Sequence, residues 1–294
     1  MPDFETFVAD AWRDHADDPG GVADRLVDAL PLISEDAQIA ALAGIAHHVF
    51  GEHLAAWHDG LAFFDRLSAL SSLAANGTGG AALRCCTAGL LLAARLDDTR
   101  AALAPSDRVR VSAMAAATLA ERDTPRSLML FEEALAQMRS AALPAADPAN
   151  RALAGTANNL AVALERKPSR TAAERDLMIL AAQTARTYWA IAGTWLETER
   201  AEYRLAMTWL QAGDAAEAQR HAEACLALVA ANGGAPLERF FAHEALALAG
   251  HATGRAAARA HAIAAARRSF ERLDDGDKTW CAETLATLDA LTPN

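Results

Sequence analysis

Cysteine is rare in this chain: Cys85, Cys86, Cys225 and Cys281 are all it has, and no two form a CxxC pair. Cys85 and Cys86 are neighbours and would point in different directions on a helix. Neither a disulfide framework nor a structural zinc site is expected from them, and a reducing cytoplasm is the simplest compartment. Aromatic residues are scarce too, at 6%. The chain is nevertheless 52% apolar, mostly alanine and leucine. These residues lose little side-chain freedom in a helix. Valine, isoleucine and threonine are sparse and period-2 alternation is missing, so strands are not expected. No apolar run approaches the roughly 20 residues needed to cross a bilayer. The opening Met1-Pro2-Asp3-Phe4-Glu5 lacks the basic, then apolar, pattern of a signal peptide.

Positive charge is in deficit. The formal net charge is −11 and the pI about 5.3, which argues against binding nucleic-acid backbones or anionic membranes. Catalytic signatures are missing as well: no phosphate loop, GxSxG elbow, HExxH or dinucleotide fingerprint occurs. Gly77-Thr78-Gly79-Gly80 lacks the lysine and preceding strand of a phosphate loop, and reads as a mobile connector between helices. No catalytic residue, cofactor or metal ligand is therefore assigned.

What is present is a succession of helix pairs. From Glu199 to Asn232, a first helix carrying Tyr203, Leu205, Ala206 and Trp209 ends at Gln211-Ala212-Gly213-Asp214. A second helix follows with Ala218, Ala222 and Cys225. The glycine permits a helix-ending conformation and the aspartate can cap the next helix. Similar points recur at Asn158-Asn159-Leu160-Ala161, 45 residues earlier, and at Leu246-Ala247, 41 residues later. Ala115-Ala116, followed by the Asp123-Thr124-Pro125 break, repeats the spacing of 45, and Gly44 with the Gly51-Glu52 break is a fourth candidate. Long second helices, 172–191 and 127–142, absorb the excess length.

The unit at 199–232 resembles the 34-residue tetratricopeptide repeat. Leu205-Ala206, Trp209, Gly213-Asp214 and Ala218 match its pattern, while Ala222 departs from the usual aromatic, so a neighbour must fill that contact. The resemblance covers about 108–273. It implies an all-α, right-handed superhelical array of antiparallel helix pairs, an α-solenoid. The expected layout is a helical segment over 1–75 with a cap and first pair, and an irregular connector and helix over 76–106. Repeats would follow over 107–273, and a capping helix over 274–294.

In such an array one side of each first helix faces a concave groove. The resemblance places Arg110, Asn158, Glu165, Arg200, Tyr203, Met207, Phe241 and Glu244 there. Exposed apolar atoms with a few polar hooks suit a peptide or helix of a partner protein. The function expected is therefore a scaffold or adaptor. A regulatory sensor for a small peptide or metabolite is the alternative, and burial of an apolar face in a homodimer remains open. A metal-dependent enzyme is the remaining reading, resting on His47 and His53 with His48, His58, Glu52 and Asp59 nearby. On an ideal helix, however, residues five apart such as His53 and His58 are splayed by about 140°. His48 and Glu52 straddle Gly51. These histidines read as surface or capping groups. The aromatic set Tyr188, Trp189, Trp195 and Trp209 reads as packing between helices.

Overall fold

The computed structural model describes residues 3–291; Met1 and Pro2 of the acidic opening and residues 292–294 of the expected cap lie outside them. Among the described residues there are fourteen α-helices and no strand. None is long and apolar enough to cross a membrane. Two compact units are distinguished, one ending at Ala149 and the next beginning at Asn150.

The first unit holds α1 (Phe4–Asp14), α2 (Pro19–Arg25), α3 (Asp36–His47), α4 (Trp57–Ser68), α5 (Thr78–Ala93), α6 (Pro105–Leu119) and α7 (Thr124–Ala141). Its core gathers Leu26, Ile39, Leu42, Ile45, Phe64, Leu67 and Leu90, all essentially inaccessible to solvent. At the break before α7, Asp123 accepts a hydrogen bond from Arg126 N at 3.3 Å and Pro125 occupies the first turn. Proline loses nothing there, because that amide has no intrahelical acceptor. The pair α6–α7 forms as the spacing predicts. The fourth candidate pair does not: α3 packs chiefly on α5 rather than on α4. Between α3 and α4 the chain makes a π-helical turn, His48–His53, in which Leu54 N bonds Val49 O at 3.0 Å.

The glycine-rich stretch also differs from the mobile connector expected. Asp36 accepts from Ala74 N (2.9 Å), Gly79 N (2.8 Å) and Thr78 Oγ1 (3.1 Å), tying the start of α5 to the start of α3. The amide donors of Gly79 and Ala74 hold its carboxyl below the usual value. Gly79 and Gly80 are buried. A Cβ on Gly80 would lie 2.5 Å from Ala75 O and 2.6 Å from Ala74 O, both backbone atoms. Gly80→Ala is therefore expected to cost about 1–3 kcal/mol, as overpacking does, read as a lower urea midpoint. An unchanged midpoint would restore the mobile connector.

The second unit contains most of α8 (Pro148–Glu165), then α9 (Ala172–Ala192), α10 (Trp195–Ala212), α11 (Ala215–Ala231), α12 (Pro236–Ala252), α13 (Ala256–Phe270) and α14 (Asp275–Ala290). Capping boxes start α9 (Thr171 with Glu174) and α10 (Thr194 with Glu197), each satisfying orphan amides of the first turn. Gly213 ends α10 at φ +84°, where a side chain would be strained. Asp214 then accepts from Ala216 N and Glu217 N at 3.1 and 3.0 Å. The pairs α10–α11 and α12–α13 form, α10 also touches α12, and α14 covers α12 and α13. Alanines allow the close approach: Ala206, Ala222 and Ala245 are wholly buried together. The room left by the missing aromatic at 222 is filled by Tyr203 and Leu246.

Candidate functional site: a cleft on the second unit

Helix α10 is the hub of the second unit, and polar side chains leave it toward its neighbours. Toward α11, Glu202 accepts from His221 Nδ1 at 2.6 Å while also accepting from Arg186 Nε of α9 at 2.5 Å. Burial works against this carboxylate, yet the two donors together hold its pKa below the ordinary value. One turn earlier, Glu199 accepts the Cys225 thiol at 2.9 Å. Burial raises the pKa of both groups, so the thiol is kept protonated. Toward α8, Arg204 donates to Glu165 Oε2 at 2.5 Å and Thr208 to its other oxygen. Toward α12, Tyr203 Oη donates to Glu244 Oε2 at 2.9 Å, and Arg200 lies 3.4 Å from Glu238.

These ties leave a cleft of about 470 Å³ lined by Asn158, Glu199, Arg200, Tyr203, Arg204, Leu237, Glu238, Phe241 and Trp280. Three aromatic rings make one wall. Tyr203 meets Phe241 edge to face, with centroids 5.6 Å apart, and Phe241 lies 5.2 Å from Trp280. Trp280 is 66% exposed, unusual for so large an apolar group. Arg200, also lining the cleft, stands largely in solvent, while Glu238 is largely covered.

Of the eight expected groove residues, Asn158, Arg200, Tyr203 and Phe241 are brought together here. Glu165 stands just behind them, held by Arg204. Met207 is half-buried and outside the lining. Glu244 is corrected: it is only 8% exposed, beneath the Tyr203 hydroxyl, and so supports the wall instead of presenting a hook. Burial pushes its pKa up to about 7, against the bond from Tyr203 and the charge of Arg204. Arg110 belongs to the first unit, where it pairs with Asp107 at 3.0 Å. Sequence reasoning missed Glu199, Arg204, Leu237, Glu238 and Trp280. The first two continue the row Glu199-Arg200-Tyr203-Arg204, a face turned slightly from the one chosen. Trp280 had no such signal, because it arrives from the terminal helix.

The aromatic set Tyr188, Trp189, Trp195 and Trp209 is half-buried and does not line this cleft. Trp189 instead carries the Arg151 guanidinium 5.0 Å above its ring. On the first unit a second cleft, about 500 Å³, is bordered by Phe64, Leu73, Leu83 and Leu91. Among the histidines, His47 turns into the core: it is 3% exposed and its Nε2 would be 3.0 Å from a Cβ on Gly89. Burial lowers its pKa to about 4, leaving it neutral. His58 is exposed on α4. His48 and His53 do meet, and the third ring beside them is His15.

Compared with protein-family models, curated proteins and solved structures, the chain matches none of them.

Proposed function

We propose that the second unit is a recognition module that seats a segment of a partner protein in the α8–α10–α12–α14 cleft. The observation that carries this reading is the ladder Tyr203–Phe241–Trp280, ending in an exposed tryptophan beside charged rim groups. An aromatic wall with an arginine at its rim is the composition of binding hot spots, where a few such residues supply most of the affinity. The resemblance of α10–α11 to a tetratricopeptide repeat supports the same role, since stacked pairs of that kind hold peptides along their first helices. The segment that fits places an apolar or aromatic side chain against the ladder. It carries an acidic group toward Arg200, the outlying cation of the rim. A cleft of 470 Å³ is also within the size range of small-molecule sites, so a short peptide or metabolite acting as a regulatory signal is the second reading.

Selection of displayed random peptides against the purified chain tests this. Enriched sequences are expected to share an apolar anchor next to an acidic residue. Trp280→Ala should weaken a selected peptide about tenfold or more, the loss typical of a hot-spot side chain. Arg200→Glu should reverse the preference for acidic flanks. Both residues are exposed, so neither change disturbs the core. Peptides that bind both variants as tightly as the parent would show that the cleft is not the site.

A further inference from the structure

We infer that His15, His48 and His53 form a binding site for a divalent transition-metal ion on the first unit. The ligand nitrogens of the three side chains lie within 4.8 Å of one another, and His48 Nε2 and His53 Nε2 are 3.2 Å apart. Imidazole nitrogens held about 2.0–2.1 Å from one tetrahedral zinc ion are separated by about 3.3 Å. The His48–His53 pair already has that spacing, and His15 needs only a small side-chain movement to complete three corners.

The backbone explains how these residues meet. Five residues of α-helix would splay His48 from His53. The π-helical turn at His48–His53 closes i-to-i+5 hydrogen bonds, so residues five apart stand nearly one above the other. Isolated π-turns are rare and frequently lie at functional sites. This one is fastened from outside: Arg122 donates to Glu52 O at 2.8 Å and to His53 O at 2.9 Å. Inside, a Cβ at Gly51 would crowd Leu90 and Thr118 at 3.1 and 3.2 Å, so the turn sits tightly on its neighbours.

Two of the three rings have a neighbour of the kind that orients metal ligands. The Glu52 carboxylate lies 2.9 Å from His48 Nδ1, near enough to supply the negative charge that an outer carboxylate places behind a metal-bound imidazole. His15 Nδ1 is 2.5 Å from Trp12 O. That carbonyl accepts a hydrogen bond from Nδ1–H, the tautomer that leaves the ring's lone pair on Nε2. A hydrogen bond between two imidazoles would account for His48 and His53 alone. It does not account for a third ring, brought by α1, converging on the same point with its own orienting acceptor. All three rings are partly exposed, which leaves a path for an ion and a fourth position for water or a ligand atom. Neutral nitrogen donors favour Zn²⁺, Co²⁺, Ni²⁺ or Cu²⁺ over Mg²⁺ or Ca²⁺.

The test uses the tag-free chain after chelator treatment. Titration with Co²⁺ is expected to give one equivalent of bound metal with the visible absorption of a tetrahedral site, displaced by Zn²⁺. No near-ultraviolet thiolate band should accompany it, since all four cysteines are buried. His15→Gln and His53→Gln should each weaken binding about 100-fold or more. Glu52→Gln, touching only the outer shell, should cost about tenfold. His58→Gln should change nothing. If His53→Gln fails to fold, His15→Gln at the end of α1 decides alone. Absence of a stoichiometric visible band, or its survival in the folded His15→Gln chain, would overturn the site.

Discussion

Glu244→Gln should make the second unit more stable at pH 8 and less stable, by about 1 kcal/mol, at pH 4. The sign follows from the raised pKa of the buried carboxyl. A group whose folded-state pKa lies above its unfolded value binds protons more tightly when folded, so it penalises folding once ionised. Below about pH 4.5 both states are protonated and the penalty vanishes. Between that value and about 7 it grows, and above 7 it is constant. A shift of this size corresponds to about 3 kcal/mol. Glutamine keeps an acceptor for the Tyr203 hydroxyl but buries an amide that costs about 1 kcal/mol if unpaired. The net gain at pH 8 is about 2 kcal/mol. Urea titrations at pH 4, 6 and 8 would check it. Glu199 shifts in the same direction and shapes the parent's curve, but it is common to both chains and drops out of the difference. Parallel curves for parent and variant would mean that Glu244 is ionised without penalty.

Removing Glu202 should have the opposite and larger effect. Its carboxylate is the shared acceptor for His221 of α11 and Arg186 of α9, and its side chain is 8% exposed. Glu202→Leu fills a similar volume but strands both donors. Breaking a buried pair in this way costs about 3–5 kcal/mol. Arg186 is 31% exposed and partly recovers its hydration, so about 3 kcal/mol is expected. Glu202→Gln retains an acceptor and should lose roughly half as much. Losses measured by urea denaturation at pH 7 should therefore rank Leu well above Gln. Equal, small losses would show that the three helices are joined by apolar packing alone.

The chain's local chemistry makes its helix breaks readable. Gly213 with Asp214, and Asp123 with Pro125, act within one turn, so their meaning does not depend on what lies across the fold. The cleft is readable where its residues share a first helix, as Arg200 and Tyr203 do. It is not readable where depth decides the role: Glu244 sits on the expected helix, but its side chain is buried under Tyr203. Trp280 and His15 lie on helices at opposite ends of the sequence, and each meets its neighbours only through tertiary packing. The His48–His53 pair is hidden for a different reason. At 3.6 residues per turn, side chains five apart diverge, and only a local change of that number brings these two together.

That local change also constrains the length of the segment. A π-turn adds one residue to a helical turn, so the chain beyond it is out of phase with the chain before it by about 100° of helical rotation. The apolar stripe of Ile39, Leu42 and Ile45 passes into the turn at Val49 and Phe50; the helix then stops at Ala55 (φ +51°), and Phe63, Phe64 and Leu67 belong to the separate helix α4. Deleting a single residue between 48 and 53 would replace the π-turn by an ordinary α-helical turn. It would also separate the paired imidazoles and rotate Val49 and Phe50 away from the core they now fill. The length of this turn is thus tied at once to its packing and to the meeting of its two histidines.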